Sequence, residues 1–448
     1  MKLKVENFGK IKSACIDLNG YSIFVGDNNS GKTYLMQLIY GVTEALKSAH
    51  NLDCPLFEEP PFRLLPENVG ILQDSVNRWL EKNKNTIVKN TFNSEIDIGS
   101  LSLEISPNDF ANISVVLKIF SLSELENSKK EVVYSAEIDK TKSSYFCLEY
   151  DRIIYVFDNV LDQTTSVLRT FFLGILFSGV LYNHQLKSLF IPASRAGFNL
   201  VYRDLLAAMA KPNEYNLGSL KHQTPESKKM GLTKPVFDYL LFMQTYKPDA
   251  DHYKENQAII DFIEKHVIKG KIVRNGDEIR YVSENGVDLP LYLTSSMVNE
   301  LTPIVHLLSS VDRFGRLYYD EIETSQHPTT QIQLARLMNR LVNSGINLIV
   351  STHSDTMAAL ISNFVLMSFV ENGISKAQEL GYEAYDLLKK DCVHAYQFEK
   401  NEDGSTIVKE LEKFINLGLG YDFSLFNRTN DLIYNDYLAI AGKNATIK

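Results

Sequence analysis

Short apolar runs and helical patterns alternate at the N-terminal end of the chain. Three β-prone runs, separated by Gly and Asn, predict short strands at residues 3–5, 14–18 and 22–25. A glycine-rich segment occupies residues 26–33. Apolar residues then recur every three or four positions between Leu35 and Leu46, and this spacing predicts a helix. The N-terminal part is therefore predicted to form strands, a loop and a helix.

The C-terminal part has the same α/β alternation. Helices are predicted at residues 296–309, 328–343 and 355–362, and strands at residues 317–320, 346–351, 365–370, 393–399 and 405–409. The sequence has neither an internal repeat nor a long heptad run. This argues against a solenoid and against a long coiled-coil arm.

The middle of the chain is more varied. Short β-prone runs between residues 95 and 157 predict an antiparallel β lobe, and an Asn-Gly step predicts a hairpin joining 271–273 to 279–282. Residues 161–188 and 235–268 have helical patterns, and a core strand is predicted at 189–191. Residues 50–90 are mixed, with prolines at 55, 60, 61 and 66. Residues 211–233 have few large apolar side chains, which predicts a mobile loop.

These patterns predict one α/β core built from two distant blocks, residues 1–48 and 290–448. Residues 49–289 are predicted to form an inserted lobe of strands and helices. The balance of 44% hydrophobic and 23% charged residues in a chain of 448 is ordinary for a globular protein. The net charge of −9 argues against a uniformly basic, DNA-coating protein.

The four cysteines lie far apart with no CxxC pair, so neither a disulfide framework nor a zinc site is predicted. No apolar segment of the kind found in signal peptides follows the first lysines. The longest mainly apolar run, residues 171–182, is too short to span a bilayer. We therefore expect a cytoplasmic protein that does not associate with a membrane.

Residues 26–33 match the phosphate-binding pattern G-x-x-x-x-G-K-[ST]. Glycines let successive backbone N–H groups point at phosphate oxygens, and the following helix directs its positive end there. The residues expected to contact the nucleotide are Gly26, Asn28, Asn29, Ser30, Gly31, Lys32 and Thr33. Lys32 is expected to reach the β- and γ-phosphates, and the Thr33 hydroxyl to bind Mg²⁺.

Two adjacent carboxylates, Asp320 and Glu321, end an apolar strand. In a chain with a phosphate-binding loop, Asp320 is expected to hold Mg²⁺ directly or through water. Glu321 is expected to orient or deprotonate the attacking water. A second strand end carries His353, a candidate for contact with the γ-phosphate and with Glu321. The alternative is an ordinary loop histidine beside a helix cap at Ser354 or Asp355.

Ser295 and Ser296 precede a helix with an apolar face. Hydroxyl side chains at a helix N-terminus can cap the helix. They can also bind the phosphates of a nucleotide that another subunit holds. The sequence leaves both interpretations open.

These blocks, in this order, resemble the ABC-type ATPases of the RecF/SMC/OLD group. Residues 26–33 fit the group's G-x-N-x-[SA]-G-K-[ST] loop, and Val-Glu-Asn-Phe-Gly at 5–9 looks like its first-strand pattern. Asp-Glu-Ile-Glu at 320–323, followed by His327-Pro328, looks like its Walker B and D-loop region. Ser-Thr-His-Ser at 351–354 resembles its histidine switch. Ile-Pro-Ala-Ser-Arg at 191–195 resembles a P-[AS]-x-R segment of smaller bacterial members.

Several positions depart from the group's pattern. The segment around Ser295 lacks the LSGGQ glycines of transporters, and Ile322 stands where Pro usually follows the Asp-Glu pair. Gln73 is only a weak candidate for the Q-loop glutamine, and no toprim-like carboxylate set follows His353. Arg195 is equally consistent with a phosphate or subunit contact and with a structural ion pair.

The resemblance implies an ABC-type P-loop ATPase head with a mixed-sheet core, which binds and hydrolyses ATP with Mg²⁺. It implies catalytic roles for Glu321, His353 and Lys32. It also implies a composite site, in which Ser295 and Ser296 of a second copy close over the ATP. The implied partners are a second copy of the chain and a separate effector, such as a nuclease, in an anti-phage defence complex.

Two other functions compete with this one. A RecF-like ATPase of recombination repair would bind DNA, through a basic surface that Lys221, Lys228, Lys229 and Lys234 could supply. A transporter ATPase subunit is disfavoured by the missing LSGGQ and by the lack of an apolar docking segment.

Overall fold

The structure, a computed structural model, describes most of the chain. The described residues are 1–49, 51–57, 62–63, 68–110, 115–129, 131–134, 144–150, 153–157, 173, 177, 180–181, 184–210, 231–276 and 278–440. The strands in these ranges are β1 Lys2–Phe8, β2 Ile11–Asp17, β3 Tyr21–Gly26, β4 Phe62–Arg63, β5 Ile98–Glu104, β6 Val115–Ser121, β7 Glu131–Tyr134, β8 Ser144–Tyr150, β9 Ile153–Phe157, β10 Val180–Leu181, β11 His184–Gln185, β12 Lys187–Ile191, β13 Gly270–Asn275, β14 Glu278–Ser283, β15 Asp288–Pro290, β16 Phe314–Tyr319, β17 Asn347–Thr352, β18 Val393–Lys400 and β19 Thr406–Glu410.

The α-helices of the same ranges are α1 Lys32–Lys47, α2 Val69–Phe92, α3 Leu122–Glu126, α4 Arg195–Ala210, α5 Lys234–Thr245, α6 Ala250–Glu255, α7 Gln257–Phe262, α8 Ser296–Ser309, α9 Pro328–Asn343, α10 Asp355–Phe369, α11 Gly373–Glu379 and α12 Ser424–Ile440. A π-helical segment, Ile263–Ile268, continues α7. None of the helices in the described part combines the length and the apolar character that a membrane span needs.

A nine-stranded mixed sheet forms the centre, with the strand order β12-β16-β17-β3-β18-β19-β2-β1-β5. The first five of these strands run parallel to one another. β19 is antiparallel to β18, and β2, β1 and β5 complete the sheet. Because parallel strands end at the same edge, the ends of β3, β16 and β17 bring their following loops together. This α/β architecture confirms the predicted fold class.

Helices cover both faces of the parallel strands. On one face Phe24, Tyr318 and Ile349 pack into a cluster with α1 and α2. On the other face Ile23 and Leu317 pack with α8, α9 and α10. Strands buried on both faces need apolar side chains at nearly every position. This explains why these strands are almost continuously apolar in the sequence.

The predictions for the two ends of the chain are confirmed with small shifts of boundary, from β1 to α1 and from α8 to β17. The strand predicted at 365–370 is wrong, because these residues belong almost entirely to α10. Residues 50–90 contain a long helix that the sequence pattern did not predict, α2. The hairpin of β13 and β14 is confirmed.

The middle of the chain agrees only in part. The predicted helix at 161–188 is wrong at its end, because residues 180–181, 184–185 and 187–188 are in strands, and most of its remainder lies outside the described residues. The β lobe is not purely antiparallel, because β7 pairs parallel to β9. The predicted mobile loop lies outside the description except for residues 231–233. The division into a core and an inserted lobe stays a prediction, although β5 and β12 from the middle segment join the central sheet.

Candidate functional site

The phosphate-binding loop leaves the end of β3 and enters α1 in a conformation that requires glycine. Gly26 has φ of +155°, and a Cβ there would lie 2.8 Å from Phe398 Cβ. Asn29 and Gly31 also have positive φ, at +57° and +103°. Such a loop exposes consecutive backbone N–H groups at the start of a helix, which is a binding arrangement for anions.

Lys32 folds across the loop. Its ammonium donates to the carbonyl oxygens of Gly26 at 2.8 Å and Asp27 at 2.9 Å. Burial lowers the pKa of Lys32 to about 8, and the nearby carboxylates, Asp320 first among them, oppose that shift. The ammonium therefore lies inside the curve where a phosphate chain would fit.

Asp320 connects three segments that are far apart in the sequence. Its Oδ2 accepts a hydrogen bond from the Thr33 hydroxyl at 2.8 Å, and its Oδ1 accepts one from the Ser351 hydroxyl at 2.5 Å. The side chain is buried, and burial raises the pKa of Asp320 against the lowering effect of these two hydrogen bonds. A hydroxyl and a carboxylate in contact beside a phosphate loop are the oxygen ligands that Mg²⁺ prefers. These residues therefore fit the ion.

Glu321 has a left-handed backbone conformation, with φ of +47°. Its N–H donates to the Ser351 hydroxyl at 2.8 Å, and the next N–H, of Ile322, donates to the Ser351 carbonyl at 3.2 Å. Thr324 donates its hydroxyl to Glu321 Oε2 at 3.3 Å. Strained non-glycine residues persist where surrounding contacts fix them, often at functional sites.

His353 faces Glu321 across the cleft, with 3.7 Å between His353 Nε2 and Glu321 Oε1. The backbone N–H of His353 donates to Glu323 Oε1 at 2.5 Å. Burial lowers the pKa of His353, and the charge of Lys32 lowers it further. Both effects favour the neutral imidazole, and the carboxylates of Glu321, Glu323 and Asp320 oppose them. Ser354 caps α10 by accepting from the Met357 N–H at 3.2 Å, so the helix cap and the histidine occur together.

A cleft of about 630 Å³ contains most of the predicted residues. Its lining comprises Gly9, Lys10, Asn28, Asn29, Ser30, Gly31, Lys32, Thr33, Tyr34, Glu321 and His353. Gly26 borders a second cleft beside it, which His353 and Asn28 also line. The sheet thus brings the predicted loop, carboxylates and histidine of one copy together.

Ser295 and Ser296 do not line this cleft. Both are exposed at the start of α8, where Ser295 Oγ accepts from the Val298 N–H at 3.4 Å. The cap interpretation therefore holds for Ser295 within one copy. Gln73 is also not in the cleft, because its Oε1 accepts from the Ile105 N–H at 2.7 Å between α2 and β5.

Arg195 is fully buried and forms an ion pair with Glu300. Of the two interpretations of Arg195, the structural ion pair is correct and direct contact with a phosphate or a subunit is wrong.

Three residues of the site were not assigned a role from the sequence. Ser351 joins Asp320 to Glu321, Glu323 fixes the backbone of His353, and Glu300 pairs with Arg195. The signals for the first two were their positions inside the Asp-Glu-Ile-Glu and Ser-Thr-His-Ser segments. The signal for Glu300 was a carboxylate near the start of a helix with an apolar face.

A family model described as "AAA ATPase domain" matches residues 1–177 and 242–358. No curated protein sequence matches the chain significantly. Among solved structures, an SMC head bound to the C-winged helix domain of ScpA is 13% identical with a TM-score of 0.37, covering 93% of this chain and 98% of that one. The SMC head domain of Thermotoga maritima is 12% identical with a TM-score of 0.34, covering 92% and 98%. A Pyrococcus furiosus SMC head with an extended coiled coil, bound to the C-terminal domain of ScpA, is 12% identical with a TM-score of 0.33, covering 92% and 96%. Similarities this distant carry no argument about this chain.

Proposed function

Because the chain belongs to the AAA ATPase domain family, and is therefore an ATPase, we propose that two copies close head to tail around ATP as a nucleotide-controlled switch. In each site one copy supplies Lys32, Thr33, Asp320, Glu321 and His353. The other copy supplies Ser295 and Ser296.

One observation carries this proposal. Within a single copy the cleft has a phosphate loop, Glu321 and His353, whereas Ser295 and Ser296 lie exposed outside it. Tyr292 and Leu293, which lie just before Thr294 and the serines, are 66% and 60% exposed. Exposed apolar side chains beside polar ones are typical of protein interfaces. A second copy placed over the cleft would cover this edge and complete the site.

The roles follow from the chemistry of each group. The Lys32 ammonium would pair with the phosphates once it leaves the loop carbonyls. Thr33 and Asp320 would hold Mg²⁺, which supplies neutralising charge for the phosphates. Glu321 would orient and deprotonate the attacking water. His353, whose Nε2 lies 3.7 Å from Glu321 Oε1, would contact that water from the other side. Ser351 would keep Asp320 and Glu321 in register.

The substitution Glu321→Gln tests the head-to-tail dimer. Removing the carboxylate should stop hydrolysis while the phosphate loop still binds nucleotide, so the variant should accumulate as an ATP-bound dimer. Light scattering with Mg²⁺ and ATP should report a doubling of mass that ADP does not produce. The control adds Lys32→Ala to the same variant and should stay monomeric. A Glu321→Gln protein that stays monomeric at saturating ATP contradicts the head-to-tail arrangement.

We further propose that the switch acts in an anti-phage defence complex and controls a separate effector nuclease. The resemblance to smaller bacterial members of the RecF/SMC/OLD group supports this. The alternative is a RecF-like DNA clamp. Of its four lysines, Lys234 pairs with Asp238, and the other three lie outside the described residues.

Affinity capture distinguishes these two functions. Tagged Glu321→Gln protein with ATP, recovered from its own host, should retain a nuclease, because the trapped dimer presents the surface that an effector recognises. The same capture with the Lys32→Ala control should lose it. Recovery of DNA alone, or of nothing, would favour the DNA clamp.

A further inference from the structure

A buried ion pair joins the helix that begins at Ser296 to the strand end that carries Glu321. Arg195 begins α4, with three residues between it and the end of β12, and Glu300 lies in the second turn of α8. Their side chains are 0% and 1% exposed, and the guanidinium Nη2 contacts Glu300 Oε2. Separating such a pair would leave an uncompensated charge in the interior, which costs far more than breaking a surface pair. The start of α8 and the strand end that carries Glu321 are therefore expected to move together.

The guanidinium also donates hydrogen bonds to the backbone of the Walker B region. Nη1 donates to the Asp320 carbonyl at 2.9 Å, and Nη2 donates to the Glu321 carbonyl at 3.1 Å. The plane lies over the Tyr319 ring at 4.6 Å from its centroid. Arg195 thus touches three consecutive residues that end in Glu321. A planar guanidinium with fixed donor directions sets such backbone positions in a way that an ammonium cannot.

Two further hydrogen bonds join α4 to α8. Asn199 on α4 donates to the Asn299 carbonyl at 2.9 Å, and Asn299 on α8 donates back to the Ala196 carbonyl at 3.1 Å. Ser296 and Glu300 are four residues apart, so they lie on one face of the helix. A displacement at the start of α8 is therefore carried to Arg195.

We propose that Arg195 is a positioning residue, which transmits contact between Ser295 and Ser296 and the partner's nucleotide to Glu321 of its own chain. This rests on the proposed head-to-tail dimer. In such a dimer the start of α8 belongs to one ATP site, and Glu321 of the same chain belongs to the other. The Arg195–Glu300 pair therefore links the two sites, and ATP in one site favours hydrolysis in the other.

The test replaces Glu300 by Gln, which keeps the shape and a hydrogen-bond acceptor but removes the charge that holds Arg195. Binding of a fluorescent ATP analogue should stay within about twofold of wild type, since Lys32 and Thr33 are untouched. The kcat should fall about 10- to 100-fold, as expected when the Glu321 carboxylate is displaced by up to about 1 Å. The Hill coefficient for ATP should fall from above one to one.

Asp386→Asn is the matched control. Asp386 is fully buried and accepts from Arg336 at 2.8 Å and Arg340 at 2.7 Å, so this change also removes a buried carboxylate that faces arginine. It should lower the thermal midpoint without changing kcat or the Hill coefficient. A double variant, Arg195→Met with Glu300→Met, removes both charges together and keeps the interior free of an unpaired one. This protein should fold, bind ATP and show the same loss of kcat and cooperativity.

Two results would overturn the coupling. One is a wild-type Hill coefficient of one. The other is a set of pair variants that, like Asp386→Asn, lose thermal stability while kcat and cooperativity stay unchanged. Failure of the dimer itself is a separate result, since it is measured on Glu321→Gln protein in which Arg195 and Glu300 are intact.

Discussion

At the residue scale, the position of Lys32 makes nucleotide binding depend on pH. With the pKa lowered to about 8 by burial, the side chain is mostly charged at pH 7 and mostly neutral at pH 9. Only the charged form pairs with phosphates. The affinity for ATP should therefore fall as pH rises from 7 to 9, approaching about tenfold per pH unit above the pKa. Titration with a fluorescent ATP analogue at pH 7, 8 and 9 measures this.

The matched variant is Lys32→Arg. A guanidinium keeps its charge throughout this range, so binding by this variant should be weaker but nearly independent of pH. If both proteins lose affinity in parallel, another group controls the pH dependence and the assignment to Lys32 is wrong.

Single residues were predictable where the chemistry fixes both the residue type and its neighbours in sequence. The loop at 26–33 and the Asp320–Glu321 pair are of this kind, and the sheet brings them to one cleft. Ser351 and Glu300 were not predictable, because their partners lie on other strands and helices. Ser351 acts through the pairing of β17 with β16. Sequence order alone does not reveal that pairing.

At the scale of elements, tertiary packing overrode local preference in α10. Residues 365–370 are rich in Val, Phe and Met, and such a run predicts a strand. In the structure Met357, Ile361, Phe364 and Val365 form one buried face at helical spacing, so packing against the sheet extends the helix. The helix α2 was missed for a different reason. The prolines at 55–66 all precede it, and within the helix Asn and Lys separate the buried apolar residues.

The start of α8 shows what one element can and cannot reveal. Ser295 caps the helix, and a capping hydroxyl is also what a phosphate-binding residue would look like. Replacing it by Asp separates the two functions. Aspartate caps helices as well as serine does, but its negative charge would face the partner's phosphates. If a Ser295→Asp protein loses ATP hydrolysis while its thermal midpoint stays unchanged, Ser295 contacts the phosphates as well as capping the helix.

At the scale of the whole molecule, the sheet explains why distant blocks form one site. The phosphate-loop strand β3 and the Walker B strand β16 are separated in the sheet by β17, so three loops meet at one edge. The α/β alternation and the motifs predicted this class of fold. The strand order, and the entry of β5 and β12 into the central sheet, depend on contacts between residues far apart in sequence. Local patterns do not contain that information.

The head-to-tail arrangement predicts a specific pairing between two variant chains, each of which lacks one half of the ATP site. In a Glu321→Gln background, a tagged chain with Lys32→Ala keeps its serines, and an untagged chain with Ser295→Asp keeps its phosphate loop. Each should remain monomeric alone. Mixed with ATP, they should form a heterodimer with one complete site, because a closed two-fold arrangement pairs each loop with the other chain's helix. Capture through the tag should recover the untagged chain only when ATP is present.

The control for this pairing places both changes in the tagged chain. Its heterodimer with the Ser295→Asp chain would contain no complete site, so ATP should recover nothing. If the control and the mixture behave alike while all chains keep their thermal midpoints, the serines of one copy do not complete the site of the other. If instead either variant chain dimerises with ATP by itself, the two copies associate without a complete ATP site between them.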